Sequence, residues 1–212
     1  MKLYYHPLST YSQKTLMAFY EKGVSFTPEI VSLMDPAGRE AYLKINPLGK
    51  VPMLVLDDGW KIPESSIIIE YIDTHYETGT KLIPDDKDLA RQTRFRDRMA
   101  DLYIDDQMTT IFFDSRKPPA EKEPARVAKA RATLDTMFQI IDQEIDNKTW
   151  AMGDFFSMAD CAIAPPLGYC RQIHPFDKYA NLTAYFNRLA QRPSYQRVLG
   201  EAAPYLAQFM QK

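Results

Sequence analysis

The segment Lys50-Val51-Pro52-Met53-Leu54 places a proline where a strand should begin, which makes its backbone a candidate for binding chemistry. Proline cannot donate a hydrogen bond to a strand ladder, so something else must use the backbone at that point. If the Val51-Pro52 peptide is cis, the N–H and carbonyl of Val51 turn outward and can pair with an extended, peptide-like ligand. The alternative is a trans proline at a strand start, which is the commoner state of X-Pro bonds.

A second candidate is the pair Glu64-Ser65, directly before the apolar run IIIEYI. If Ser65 begins a helix, its hydroxyl and the first free N–H groups offer an anion site for a carboxylate. The side chain of Glu64 can pair with an ammonium group. Together the two residues match the head group of an α-amino acid, and the alternative is a simple helix cap followed by an acid.

The commonest catalytic and metal-binding motifs are absent from the sequence. It contains no CxxC, HExxH, GxSxG or Walker loop, and its three histidines, His6, His75 and His174, have no metal or triad spacing. Cys161 and Cys170 fall in one predicted helix, on opposite sides and about 13 Å apart along the axis. They therefore cannot form a disulfide with each other there.

Short strands mixed with helices are predicted up to about residue 80, and these elements must position the candidate groups. Gly23 marks the end of the first helix, and Asp35-Pro36 has the form of a helix start. The predicted order is strand 2–5, a helix from the Ser9 turn to Gly23, strand 26–31, helix 35–45, strands 51–56 and 60–62 around the turn 57–59, and helix 65–76.

The rest of the chain has helical periodicity only. Ser157-Met158-Ala159-Asp160 has the form of a capping box, which begins a buried helix that Pro165-Pro166 should bend or interrupt. Further helices are predicted on either side of residues 117–119, over 179–190 and over 194–209. We therefore predict three parts: an α/β domain over 1–80, a linker over 81–88 and an all-helical domain over 89–212.

The composition is that of an ordinary globular protein. Of the 212 residues, 45% are hydrophobic and 25% are charged, and 26 basic against 28 acidic side chains leave a net charge of -2. This balance argues against nucleic acid or an acidic membrane surface as a partner. No apolar run reaches the roughly 18 residues of a membrane span, and MKLYY is typical of a strand, so we expect a cytoplasmic protein.

Several of these pieces occur together, in order and at consistent distances: Ser9 after the first strand, NPLGKVPMLV, PESSIIIEYI and the box at 157–160. In this respect the chain resembles a glutathione S-transferase over essentially its whole length. The resemblance implies an N-terminal thioredoxin-like domain and a C-terminal helical bundle that carries the electrophile site. It also implies glutathione as cosubstrate, no metal, and a twofold homodimer.

The resemblance also assigns the ligand contacts. Pro52 corresponds to the cis proline of the family, and the γ-glutamyl end of glutathione is expected at Glu64 and Ser65. Lys50 by its side chain and Val51 by its backbone are expected to hold the cysteinyl and glycyl part. Arg39 is a further candidate for the glycine carboxylate.

The group that acts on sulfur must favour the thiolate, because a free thiol has a pKa near 8.5. A hydroxyl donor at a helix N-terminus can do this. Ser9 corresponds to the first position of the serine- or cysteine-bearing turn of the family, and we expect it to be catalytic. Thr10 is an alternative, because bacterial beta-class members with a similar MKLYYHP opening place a cysteine there, and Tyr5 aligns with the tyrosine of other classes.

The function implied is therefore a transferase that activates the thiol of glutathione for conjugation to a small hydrophobic electrophile, as in detoxification. Glutathione-dependent disulfide or peroxide reduction is an alternative, since two glutathione molecules could do the redox work. A third possibility is a non-catalytic binding module of the same fold. Retention on immobilised glutathione, and turnover of an aryl halide against a mixed disulfide, distinguish the three.

Overall fold

The computed structural model describes residues 1–32 and 35–210. The chain divides into two units: Met1–Leu82 together with the segment that begins at Pro193, and Ile83–Arg192. The first contains a sheet with helices and the second is helical, which confirms the predicted fold class, a thioredoxin-like α/β domain followed by a helical one.

The first unit is built on a four-stranded sheet with the strand order β2-β1-β3-β4. β1 and β2 are parallel, whereas β3 is antiparallel to both β1 and β4. The edge strands each carry a proline, Pro28 and Pro63, which an edge tolerates. The elements are β1 (Lys2–Tyr5), α1 (Thr10–Lys22), β2 (Thr27–Ile30), α2 (Pro36–Leu43), β3 (Met53–Val55), β4 (Lys61–Pro63) and α3 (Ser65–His75). This is the predicted order.

A buried ion pair joins α1 to α3. Lys22 Nζ lies 3.1 Å from Asp73 Oδ1, which also accepts the N–H of Leu82 at 2.9 Å. The connecting chain passes so close to α1 that a Cβ at Gly79 would lie 2.2 Å from the carbonyl oxygen of Glu21. Only glycine fits there, and its φ of 67° is one that glycine adopts without strain.

The second unit is organised around one buried helix. Its elements are α4 (Lys87–Ala100), a π-helical segment (Asp101–Asp105), α5 (Asp106–Ser115), a short 3₁₀ turn (Pro119–Glu121), α6 (Pro124–Glu144), α7 (Met158–Ile173) and α8 (Ala180–Ala190). Helices α4, α5 and α8 pack against α7, whose first ten residues are all buried.

The expected bend or interruption at Pro165-Pro166 is wrong as to the interruption, because α7 continues through both prolines, and the bend stays a prediction. Each proline removes a donor to the carbonyl four residues earlier. The helix is nevertheless enclosed by its neighbours, and burial of its apolar side chains outweighs the local loss of backbone bonds.

The capping box at the start of α7 is present as predicted. Asp160 Oδ2 accepts the N–H of Ser157 at 2.9 Å and its hydroxyl at 3.0 Å. Oδ1 accepts the N–H of Ala151 at 2.8 Å and the hydroxyl of Tyr185 at 2.7 Å. Burial raises the pKa of the Asp160 carboxyl. The hydrogen-bond donors lower it, but their effect is the smaller one.

The last helix, α9 (Pro193–Met210), groups with the first unit. The predicted helical domain of 89–212 includes it, whereas its contacts are with α1. The hydroxyl of Tyr20 on α1 donates to Glu201 Oε2 at 2.6 Å, and the Arg197 guanidinium lies 3.9 Å from the centre of the Tyr20 ring. Its helical periodicity alone could not indicate which unit it packs on.

We expect Asp160→Ala to lower the free energy of unfolding by about 3–5 kcal/mol, because it leaves several buried donors without an acceptor. Asp160→Asn should not rescue it, since in either orientation the amide nitrogen would face a backbone N–H, that of Ser157 or that of Ala151. Exposed Asp154 supplies the control, and Asp154→Ala should change stability by about 0.5 kcal/mol or less. Urea unfolding measures all three, and equal effects of the two alanine substitutions would contradict this role.

Candidate functional site

The three candidate segments leave the sheet at the same end. Tyr4 pairs with Met53, and Met53 pairs with Pro63. Continuing both registers by one residue places Pro52 opposite Tyr5 on one side and Glu64 on the other. Backbones that are far apart in sequence therefore come together across two strand spacings, each about 4.8 Å.

The Val51-Pro52 peptide is cis, as the resemblance implied. Among the described residues, no hydrogen bond uses the N–H or the carbonyl of Val51. The preceding carbonyl, of Lys50, is held by the hydroxyl of Tyr42 at 2.6 Å and the Nδ2 of Asn46 at 2.8 Å. The segment is therefore fixed from one side while the Val51 backbone stays available to a ligand.

Glu64 lies at the N-cap position of α3, but its side chain does not cap the helix. Its backbone has φ 68° and ψ 123°, a left-handed conformation that is unfavourable for any residue with a Cβ. The carboxylate is exposed, and Ser65, buried, is the first residue of the helix. The side chain of Glu64 is therefore not a cap of this helix.

Ser9 is the N-cap of α1, where its Oγ accepts the N–H of Ser12 at 3.3 Å. A hydroxyl that accepts one bond still has its own hydrogen to donate. Ser9 is half-buried, whereas Tyr5 and Thr10 are 5% and 8% exposed. Tyr5 contacts Phe26 edge to face, and burial raises the pKa of its phenol. Of the three sulfur candidates, Ser9 is therefore the most accessible.

The loop before Ser9 is tied to itself and to α1. The N–H of Ser9 donates to the His6 carbonyl at 2.9 Å, and the N–H of His6 donates to Ser12 Oγ at 3.3 Å. His6 Nδ1 accepts the N–H of Leu8 at 3.2 Å, so the imidazole proton is placed on Nε2. The side chain of Gln13 donates to the carbonyl of Pro7 at 2.8 Å.

Lys50 and Arg39 are both exposed. Within the described ranges neither forms an ion pair, so both cations are available to an anionic ligand group. Arg39 is on α2, which follows the parallel neighbour β2 of β1. Since parallel strands end at the same edge of a sheet, α2 also begins at the end where the candidate segments lie.

Lys14 was missed by the sequence analysis. It is buried on α1, and its ammonium donates to Ser66 Oγ at 2.9 Å, one residue after Ser65. This places a positive charge beside the first turn of α3. The polar run TYSQKT at the start of α1 was the available signal, because polar side chains that a helix buries need partners.

Several aromatic residues of the second unit lie on α5, on α7 and on the π-helical segment before α5. Phe112 contacts Phe113 and Tyr169, with ring centres 5.3 and 6.5 Å apart, and Tyr103 and Phe113 are exposed. Among the described residues, Cys161 and Cys170 are buried thiols outside any disulfide, and burial raises the pKa of the Cys170 thiol. Within residues 1–32 and 35–210, no three metal-binding side chains are grouped, and no helix has the length and apolarity of a membrane span.

Two family models match the chain. Residues 3–80 match the N-terminal domain of glutathione S-transferases and residues 104–193 the C-terminal domain. Among similar proteins, glutathione S-transferase hmp2 of Hypomyces subiculosus is 29% identical over 212 residues, covering 95% of this chain and 99% of that protein. Glutathione S-transferase GstA of Escherichia coli O157:H7 is 27% identical, covering 94% and 97%.

A solved structure is similar over the same extent. The crystal structure of a glutathione S-transferase from Methylobacillus flagellatus with GSH bound is 28% identical, with a TM-score of 0.85, and covers 93% of this chain and 98% of that one.

Protonation of His6 should destabilise the fold. Burial lowers the pKa of its imidazole below the unfolded value of about 6.5. The unfolded chain therefore binds the proton more readily, so the penalty is absent above about pH 6.5 and develops as the pH falls. His6→Asn keeps an acceptor for Leu8 but cannot titrate, and we expect a shallower loss of stability between pH 7.5 and 5.5.

Urea midpoints at several pH values test this, with the exposed His75→Asn as control. The same pH dependence in His6→Asn and in the parent chain would contradict the assignment.

Proposed function

The chain belongs to the glutathione S-transferase family, and from that premise we propose that it activates the thiol of glutathione for attack on a small hydrophobic electrophile. The observation that carries the proposal is the convergence of the free Val51 backbone, the uncapped Glu64-Ser65 turn and Ser9 at one end of the sheet. We further propose a cytoplasmic homodimer that needs no metal and whose helical unit binds the electrophile.

The size of the site matches a tripeptide. The ends of β1 and β4 are separated by β3, which is two strand spacings or about 9–10 Å. Three extended residues span at most about 10–11 Å. A tripeptide placed across the end of the sheet therefore reaches from the Ser9 loop, past Val51, to the start of α3.

The polarity of the site matches the ends of glutathione. The Glu64 carboxylate can pair with the γ-glutamyl ammonium, and the first N–H groups of α3 with its carboxylate. The Val51 N–H and carbonyl can pair with the central peptide, as a strand would. Lys50 and Arg39 remain for the glycine carboxylate, and their positive charge complements it.

Thiolate formation is the chemical step that we assign to Ser9. Its hydroxyl donates to the sulfur and favours the charged form, and the N-terminal end of α1 adds a positive potential. The Ser12 N–H bonded to Ser9 Oγ polarises the hydroxyl and strengthens it as a donor. The thiol proton leaves to solvent, the thiolate sulfur forms a bond to the electrophilic carbon, and the leaving group departs with its electron pair.

Glu64→Gln and Ser65→Ala should each raise KM for glutathione about tenfold and change kcat by less than about threefold. Both residues lie at the end of the site away from the sulfur, so their contacts are alike in ground and transition states. Exposed Glu77→Gln, two residues beyond the C-terminal end of α3, is the control. Steady-state kinetics with an aryl chloride give both constants, and unchanged KM in both variants would contradict the assignment.

Ser9→Ala should raise the apparent pKa of bound glutathione and lower kcat near neutral pH by up to about 10²-fold, by analogy with the loss of an oxyanion donor. The sign follows because a lost hydrogen bond to the thiolate disfavours the charged form. Ser9→Thr keeps both the hydroxyl and the helix cap, and we expect it to retain activity. The thiolate absorbance of the complex against pH measures the shift.

Thr10→Val and Tyr5→Phe are measured in parallel. If the pKa of bound glutathione is parental in Ser9→Ala and raised in one of these two variants, the role of donor to the sulfur belongs to that residue. Turnover of a mixed disulfide or a peroxide in place of the aryl chloride would instead favour the reductase alternative. Failure of the parent chain to be retained on immobilised glutathione would contradict the whole proposal.

A further inference from the structure

Gln13 on α1 contacts Ser9 through its backbone and the loop before Ser9 through its side chain. Its main-chain N–H donates to the carbonyl of Ser9 at 2.8 Å. Its Nε2 donates to the carbonyl of Pro7, also at 2.8 Å. The residue is 2% exposed, so both bonds are shielded from water.

The other half of the amide has no partner. Gln13 Oε1 is buried, and no group in the described part of the chain donates to it. Exchanging the oxygen and nitrogen would place Oε1 against the Pro7 carbonyl, where two acceptors would repel each other, so the orientation is fixed. A buried acceptor without a partner is unfavourable, and an apolar side chain would avoid it. What glutamine supplies at this position is therefore the donor to Pro7.

Pro7 has no N–H, so its carbonyl is the only backbone group through which that residue can be held. We propose that Gln13 is a positioning residue for the thiol chemistry: by fixing the Pro7 carbonyl, it sets the direction in which the Ser9 hydroxyl points. This inference rests on the proposed function, because it acts through Ser9. Gln13 itself touches no substrate.

The geometry explains why one bond can matter. Only Leu8 separates Pro7 from Ser9, and the remaining loop bonds hold His6, Leu8 and Ser9 but not Pro7. The Pro7 carbonyl and the Leu8 N–H belong to one planar peptide unit, so without the Gln13 donor that unit is held from the Leu8 side alone and can turn, and the adjoining Ser9 shifts with it. A donor that is displaced by even 1 Å loses much of its effect on a developing charge.

The test is a double-mutant cycle with Ser9→Ala and Gln13→Met, a substitution that keeps the length of the side chain and removes its donor. We expect Gln13→Met to raise the apparent pKa of bound glutathione, as Ser9→Ala does, and to lower kcat about tenfold, with KM for glutathione within about twofold. In the Ser9→Ala background the same substitution should change neither pKa nor kcat. Amide hydrogen exchange at Leu8 and Ser9 should accelerate.

Thr15→Val is the matched control. Thr15 is also buried on α1 and donates its hydroxyl to the carbonyl of Tyr11 at 3.1 Å, but it does not contact the loop. We expect this variant to lose stability and to keep the parental thiol pKa and kcat. If Gln13→Met fails to fold, Gln13→Asn gives the same readout, because it keeps the amide and shortens its reach by one methylene.

A parental thiol pKa in Gln13→Met, or effects of Gln13→Met and Ser9→Ala that add in full, would overturn the inference and leave the proposed function standing. A parental pKa in Ser9→Ala would overturn the role of Ser9 and this inference together. The two failures are therefore distinguished by the single variants.

Discussion

The register between β1, β3 and β4 is the constraint on which the candidate site depends. Leu3 pairs with Leu54, and Leu54 pairs with Ile62, so three buried side chains form a row across the sheet. A slip of one residue would turn each of them to the opposite face and bury charged neighbours such as Lys61 instead. The apolar core thus fixes the register, and the register in turn fixes which residues meet at the end of the sheet. The packing of Leu3, Leu54 and Ile62 therefore aligns the candidate binding groups, which no local interaction brings together.

Helix α1 buries several polar side chains, and each of them needs a hydrogen-bond partner. Its first half places Ser12, Gln13, Lys14 and Thr15 in the interior, although an apolar helix would pack there with less desolvation. Each of these side chains bonds either a neighbouring backbone or the first turn of α3. The bonds of Ser12, Gln13 and Lys14 reach two places, the loop that carries Ser9 and the first turn of α3, whereas Thr15 bonds within its own helix. The buried polar side chains of Ser12, Gln13 and Lys14 therefore hold the two ends of the proposed glutathione site and contribute less to the stability of the helix itself.

Local chemistry made much of this fold predictable, and tertiary packing decided the rest. The Asp35-Pro36 helix start, the turn at Asp57-Asp58-Gly59 and the capping box of Ser157 and Asp160 are each specified by a few adjacent residues, and each was predicted. The cis state of Pro52 was predicted from its place in a longer motif. Continuity of α7 through its prolines, the grouping of α9 with the first unit and the buried partners of α1 depend on neighbours that are distant in sequence. The sequence shows that Gln13 and Lys14 are polar, but it does not show that their side chains face the interior.

The backbone of Glu64 gives an argument for function that is independent of similarity. β4 ends at Pro63 and α3 begins at Ser65, so a single residue must make the whole turn from strand to helix. Its positive φ is one that glycine adopts without penalty, whereas a residue with a side chain pays about 1–3 kcal/mol. The Glu64 side chain does not offset this conformational cost, because it forms no capping bond and is exposed rather than packed. Folding alone would favour glycine at this position. The charge and exposure of this carboxylate fit the partner that we propose for it, the ammonium group of the ligand.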